Sequence, residues 1–258
     1  MKNKLYQLVG MIMIGSIALF SCEKEKKDSA PQLPPLTAFV IDSHEFNQAK
    51  STKSYNNFGA AVMAIGYWNS ALYSTLVVPV ASYVEALNHE AERVNNTTWK
   101  WSYDVEALDA SYSAELFAEV IADSVYLEMH ISKESGFQDF VWYTGKFDIV
   151  RTAGEWTVYN NPESNLPWLE IEWDHNWKAE TFDISYTNVL EGNDYIDSYI
   201  EWGITDDPTC NAYFEIYDSL NDKDYLIEVN TTTHNGRITY DGTPHCWDND
   251  LQDIDCTF

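Results

Sequence analysis

The segment with the strongest chemical character runs from Pro167 to Trp177, where tryptophans and carboxylates alternate. On a β-strand, Trp168, Glu170 and Glu172 would point to one side, because successive side chains alternate between the two faces. Two carboxyl groups about 5.5 Å apart can act as nucleophile and acid in a retaining glycosidase. Glycoside hydrolysis is therefore one chemistry to weigh, against the simpler interpretation of an acidic outer face on a strand whose other face is core.

The same segment resembles a known catalytic strand. Residues 170–174 are similar to the E-x-D-x-E strand of jelly-roll glucanases, although Glu172 and Asp174 stand where that family has Asp and Glu. Nothing else in the chain matches that family, and no G-x-S-x-G, P-loop or dinucleotide-binding motif is present. The six histidines lack the spacings of zinc sites. We therefore expect a non-enzymatic protein and assign no catalytic residue.

Tryptophan offers this segment a second kind of chemistry. Trp168 and Trp173 could stack on sugar rings if they are exposed, with Glu170 or Glu172 accepting hydrogen bonds from sugar hydroxyls. Buried indoles would instead belong to the core, because an aromatic side chain removes a large apolar area from water. A surface glycan-binding module is thus the alternative function, and exposure of the tryptophans discriminates between the two interpretations.

The C-terminal residues carry a group of aspartates between Cys246 and Cys256. Crowded oxygen ligands on a loop suit calcium, but the spacing is not that of an EF-hand. The group is a weak calcium candidate and otherwise a solvated acidic loop: Asp248, Asp250, Asp253 and Asp255. No metal is expected, and no cofactor other than a covalent lipid.

The N-terminus has the pattern of an export signal. MKNK carries positive charge, and Leu5 to Phe20 form an apolar stretch that is short for a membrane span. The LFSC sequence at 19–22 resembles the bacterial lipobox, which implies a signal peptide over 1–21 and lipidation of Cys22 with acyl chains such as palmitate. The charged tract behind it is similar to the export tag of Bacteroidota-type surface lipoproteins. The resemblance implies an outer-membrane lipoprotein, lipid-anchored and facing the cell surface.

Charge limits the partners of the exported chain. Removal of Lys2 and Lys4 with the signal peptide leaves 13 basic against 41 acidic residues. A net charge near −28 repels nucleic acid and anionic lipid, so neither is expected as a partner. The membrane is reached through the N-terminal lipid, and the remaining length suits one domain with a substantial core.

Outside the cytoplasm thiols tend to oxidise, and three cysteines remain in the folded part of the chain. Cys246 and Cys256 flank a short loop, whereas Cys210 and Cys246 stand at opposite ends of a predicted strand meander. We favour a Cys246–Cys256 disulfide, although spacing alone leaves the other pairings open.

Two segments precede the strands. Residues 22–56 are polar and contain three prolines, which predicts a lipidated cysteine followed by a flexible tether. Residues 57–90 predict one long helix, kinked or divided at Pro79, because apolar residues recur at spacings of three and four. Since no charge occurs from Ser54 to Val84, a transmembrane helix has to be weighed beside a buried one.

Strict alternation of apolar and polar residues follows, with turn sequences at hairpin intervals. Residues 97–241 are predicted to form about ten antiparallel strands, and 246–256 an acidic, cysteine-flanked tail loop. With the helix, they form a single β-rich α+β domain over 57–258. The predicted architecture is a large curved sheet, a meander or half-barrel, covered by one long, proline-interrupted helix.

This layout resembles the open half-barrels with a helical lid found among bacterial lipoprotein carriers, which hold acyl chains between sheet and helix. The resemblance is one of architecture, and function inferred from fold is an analogy. It implies an apolar or amphipathic ligand between helix and sheet. The residues predicted to bind it are Trp68 and Leu72 from the helix and Trp99 and Trp101 from the first long strand.

Overall fold

The computed structural model describes residues 29–41 and 56–257. The predicted signal peptide, Cys22 and the remainder of the predicted tether lie outside the described residues. Within them, one α-helix and fourteen strands form a single antiparallel meander in which each strand pairs with the next along the chain. The described sheet is open, because β1 and β14 are its two edges.

The strands are numbered in chain order. Their bounds are β1 Glu92–Arg93, β2 Thr98–Ala107, β3 Ala110–Ile121, β4 Ser124–Lys133, β5 Phe140–Asp148, β6 Ala153–Tyr159, β7 Pro167–Asn176, β8 Thr181–Asn188, β9 Tyr199–Ile204, β10 Ala212–Asp218, β11 Lys223–Val229, β12 Gly236–Tyr240, β13 Thr243–Trp247 and β14 Asp253–Ile254.

The β-rich antiparallel class predicted from alternation is confirmed, but the count of about ten strands is too low. Two of the additional strands, β1 and β14, have only two residues each and therefore show no alternation. A third, β13, contains Pro244, and proline within a run normally argues against a strand. Burial alternates along the long strands, so that one face of the sheet is core and the other is exposed.

Helix α1 spans Asn56–Asn88, close to the predicted 57–90. Pro79 lies inside the helix and does not divide it, which corrects the prediction of a division. By length and composition alone, α1 is long and apolar enough to cross a membrane, as are some core helices of soluble proteins. Its buried stripe joins the core of the sheet, and α1 packs against β2, β12, β13 and β14.

Both ends of α1 are fixed to strands by hydrogen bonds. At the start, the Asn57 backbone N–H donates to Asp253 Oδ1 at 3.0 Å, and its side-chain amide donates to the Cys246 carbonyl at 2.9 Å. Near the other end, the Tyr103 hydroxyl donates to the Ser82 carbonyl at 2.7 Å. The helix thus connects the last strands of the sheet to the second.

Part of the predicted tether is packed rather than flexible. Residues Leu36–Ala38 form a 3-10 turn, and Phe39 is fully buried among the rings of Tyr83, Tyr143 and Trp156. The Trp156 indole N–H donates to the Ala38 carbonyl at 2.6 Å. The prediction of a flexible tether is therefore wrong for this stretch, because one buried aromatic anchors it where proline-rich composition indicated a linker.

The cysteines follow the favoured arrangement. A disulfide joins Cys246 and Cys256, and Cys210 is a free, buried thiol. The bridge ties the short edge strand β14 back to β13, which carries Cys246. It thereby fixes the terminal loop beside the start of α1.

Candidate ligand cleft

A cleft of about 460 Å³ opens between α1 and the strands in the middle and second half of the sheet. Its helix wall includes Trp68 and Leu72, two of the predicted ligand-binding residues. Its floor includes Leu169 of β7 and Ile216 of β10, which belong to the buried face of the sheet. A volume of this size is typical of sites for small ligands.

Small side chains on α1 make room for the cleft. Ala60, Ala64 and Ala71 line the cleft where larger residues would meet the strands. The strong contacts of α1 are with strands near the two ends of the sheet, so the middle of the helix stands off the central strands. On the far side of Leu72, a second depression of about 360 Å³ borders the packed 29–41 segment.

Trp168 lines this cleft because the pairing between β6 and β7 is irregular at this point. Val158 pairs with Leu169 and Tyr159 pairs with Pro167, so Trp168 is an extra residue between two pairs. A β-bulge of this kind redirects a side chain relative to simple alternation. Trp168 therefore lines the cleft together with its neighbour Leu169, although adjacent strand residues ordinarily face opposite sides.

The mouth of the cleft is polar and is crossed by a tyrosine pair. Tyr67 of α1 and Tyr195 of the loop before β9 interact through their side chains, and this hydrogen bond raises the pKa of the Tyr195 hydroxyl. The same loop supplies Asn193, whose side-chain oxygen accepts the Tyr195 backbone N–H at 2.8 Å. The cleft thus has an apolar floor and a hydrogen-bonding rim.

The rim is acidic rather than basic. Asp218 is a lining residue, and the described lining contains no Lys, Arg or His. Ser198 is buried on the rim and shares a 2.8 Å hydrogen bond with Ser219. An anionic group at this rim would face a carboxylate without a compensating cation, whereas a hydroxyl-bearing or cationic group would be accommodated.

The structure separates the four predicted ligand-binding residues into two pairs. Trp68 and Leu72 line the cleft, but Trp99 and Trp101 do not. Both of the latter are buried on the inner face of β2, where they form core. Sequence reasoning missed the loop residues Asn193 and Tyr195, because a turn sequence gives no indication of the helix that it approaches.

The residues of the glycan-binding alternative do not share one surface. Trp173 is buried on the inner face, so it is not the exposed stacking platform that the hypothesis requires. Glu170 and Glu172 are exposed on the opposite, outer face, and Trp168 lines the helix-side cleft. Glu170 stands between Thr157 and Thr187, while Glu172 stands between another acid, Glu155, and Ser185. One ligand cannot contact all four predicted residues.

The aspartates of the calcium candidate have structural partners. Asp248 Oδ1 accepts the backbone N–H groups of Asp250 and Gln252, each at 2.9 Å, which closes the loop. Asp253 caps the start of α1 through Asn57. Within residues 29–41 and 56–257, no group of three or more potential ligands is arranged to hold a metal ion. The weak prediction of calcium at Asp248, Asp250, Asp253 and Asp255 gains no support.

Comparison with protein-family models, with curated proteins and with solved structures finds no match to this chain. The cleft itself is therefore the basis for a function of this protein.

Proposed function

We propose that this protein is a non-enzymatic, lipid-anchored outer-membrane lipoprotein whose helix–sheet cleft binds an amphipathic ligand. The observation that carries the binding proposal is the cleft of about 460 Å³ with an apolar floor and a polar rim. The anchor is Cys22, with the signal peptide removed, and the cell-surface orientation rests on the charged tract that follows. Both come from the N-terminal sequence.

The proposed architecture is a half-barrel that curves around α1. From Asn57, bonded to β13 and β14, to Ser82, bonded to β2, the helix covers only about 38 Å at 1.5 Å per residue. Between β2 and β13 there are eleven inter-strand steps, or about 53 Å along the sheet. The straight helix is shorter than the distance along the sheet between the strands that it joins. This difference supports a curved sheet with α1 on its concave side.

The ligand chemistry follows from the two ends of the cleft. Trp68, Leu72 and Leu169 would contact an apolar tail, and burial of each methylene there contributes about 0.8 kcal/mol. The head group would lie among Asn193, Tyr195 and Asp218. We propose an uncharged or cationic head, because no described basic residue lines the rim.

Native mass spectrometry of the full chain tests the cleft. Wild-type protein is titrated with monooleoylglycerol, which has an uncharged head and one acyl chain, and separately with oleate. We expect a noncovalent monooleoylglycerol adduct, a weaker oleate adduct, and at least tenfold weaker monooleoylglycerol binding in Ala71→Trp, equivalent to about 1.4 kcal/mol. The physical reason is that an indole at Ala71 occupies the cleft from the helix side.

Ala179→Trp is the matched control, because Ala179 is exposed in the turn after β7 and does not line the cleft. It should bind monooleoylglycerol like the wild-type chain. Equal binding in all three proteins, or no adduct in any of them, would contradict ligand binding in this cleft.

A further inference from the structure

From Asn56 to Val84, helix α1 presents a solvent-exposed face that carries no charge. Met63, Tyr67 and Tyr73 are 72%, 64% and 71% exposed, unusually high values for large apolar residues. Ser70 and Ser74 lie among them on the same helical face, opposite the buried stripe through Ile65 and Leu72. Contiguous exposed apolar surface of this kind is typical of an interaction site.

Many of the acidic residues lie on the outer face of the sheet, which is directed away from α1. The outer face of the sheet carries rows of carboxylates in register across neighbouring strands, such as Glu155 beside Glu172 and Asp174 beside Asp183. Desolvation, together with the charges of Glu201 and Asp174, raises the pKa of Asp183, which shows how crowded that face is. The exposed face of α1 is therefore the side of this strongly acidic protein that is compatible with a hydrocarbon surface.

The start of the described chain lies beside the same helix. Ser29 is the first described residue, and the nearby Pro34 carbonyl accepts the Tyr83 hydroxyl of α1 at 2.7 Å. Ser29 is seven positions after Cys22, so the chain between them reaches at most about 25 Å. A lipid on Cys22 would hold Ser29 within that distance of the bilayer, in the part of the molecule where Pro34 contacts α1.

From these three observations, we propose that the exposed face of α1 rests on the surface of an uncharged lipid bilayer, with Met63, Tyr67, Ser70 and Ser74 at the contact. The inference rests on the lipid anchor of the proposed function. Tyrosine suits the membrane–water interface because its ring is apolar and its hydroxyl is polar. Met63 and Tyr67 also line the mouth of the cleft, so the mouth opens towards the lipid, and ligand can pass between bilayer and cleft without crossing water.

A fluorophore sensitive to polarity tests the contact in the full chain. Ser70→Cys places a reactive thiol at the centre of the face and outside the lining of the cleft. Cys210 is buried, Cys246 and Cys256 are bridged, and the sulfur of Cys22 carries the lipid in the anchored chain, which directs the label to the new thiol. On phosphatidylcholine vesicles we expect the emission to move to shorter wavelength and to be quenched by brominated acyl chains.

Ser113→Cys is the matched control, because Ser113 is exposed on the outer face of β3. Its label should keep the emission of an aqueous environment on the same vesicles. A label at Ser70 that stays in water, or equal shifts at both positions, would overturn the proposed orientation. Vesicles containing phosphatidylglycerol should give a smaller shift at Ser70, because the acidic protein is repelled by anionic lipid.

The outcome is independent of ligand binding in the cleft. If monooleoylglycerol forms its adduct while the Ser70 label remains in water, the cleft proposal stands and the membrane contact fails. If the mass of the chain shows no acyl modification and the Ser70 label does not respond to vesicles, both the proposed anchor and the proposed membrane contact are contradicted.

Discussion

At Trp168, one extra residue in a strand decides on which side of the sheet an indole lies. Alternation placed Trp168 with Glu170 and Glu172, and this is correct for the two glutamates. The bulge opposite Val158 and Tyr159 moves Trp168 into the cleft. A bulge depends on how two strands are paired, and a single strand read alone contains no information on its partner's register.

His130 provides a residue whose contribution to stability depends on pH. Burial alone would lower its pKa, but hydrogen bonds from its ring to Glu128 at 2.5 Å and Asp139 at 2.8 Å, with their charges, raise the pKa above 6.5. A raised histidine pKa stabilises the fold below the unfolded pKa, and that stabilisation is lost as pH rises through the folded pKa. We expect His130→Gln to lower the free energy of unfolding more at about pH 5.5 than at about pH 9.

Urea denaturation at the two pH values measures this difference. The carboxylates are half exposed or more, so solvent screening limits the effect to about 0.2–1 kcal/mol. His245→Gln, at a histidine stacked on Tyr240, controls for loss of a ring. A loss that is the same at both pH values would show that His130 acts only through packing.

At the scale of elements, alternation predicted the long strands because each has one core face and one solvent face. Alternation could not predict the packed turn around Phe39. The three prolines nearby indicate a flexible segment, but the burial of a single aromatic ring holds the segment in place. The cleft wall was half predicted: the apolar stripe of α1 contains Trp68 and Leu72, whereas Trp99 and Trp101 resemble them in composition but are enclosed by neighbouring core residues. Whether a buried aromatic side chain lines the cleft depends on long-range contacts, and a local sequence pattern contains no information on these.

The start of α1 depends on a residue from the other end of the chain. The first turn of the helix contains no acidic residue, and the Asp253 carboxylate accepts the Asn57 backbone N–H. Asp253→Ala leaves that N–H without its cap and removes a negative charge near the positive end of the helix dipole. We expect a loss of about 1 kcal/mol in the free energy of unfolding.

Urea denaturation of Asp253→Ala beside Asp255→Ala isolates the cap. Asp255 is exposed in the same disulfide-closed segment, so its substitution removes a similar charge without removing the hydrogen bond to α1. Equal stability of the two variants would contradict the capping role.

At the scale of the whole molecule, the sequence separates an acidic sheet face from a helix that carries no charge before Glu85, but it does not show where the two lie relative to each other. That arrangement comes from the meander, which directs the inner face of every long strand towards one core. The predicted fold class followed from element order, whereas the span of α1 from the last strands to the second did not, because long-range contacts leave no periodic signal.

The proposed lipid anchor concerns the whole molecule, and Cys22→Ser tests it. A serine cannot receive diacylglycerol through sulfur, so we expect loss of incorporated palmitate and retention of residues 1–21. Metabolic labelling and the mass of the purified chain measure both effects. Cys210→Ser should keep the label, since Cys210 lies in the folded domain; a labelled and shortened Cys22→Ser chain would contradict the lipobox interpretation.

The hydrogen bond between Asn57 and Asp253 joins residues 196 positions apart, while nearly all strand pairs are local hairpins. Hairpins can form in order as the chain emerges, at a small cost in loop entropy, and the far end of α1 can pack on β2 early, but the start of the helix can only be fixed once Cys246 and Asp253 are available. Until then the apolar side chains of its first turns, such as Phe58, lack their partners on β13. The segment that contains Cys246 and Asp253 therefore completes the fold: a chain truncated before it would carry a helix whose start is not fixed, and would be the form most exposed to aggregation and proteolysis.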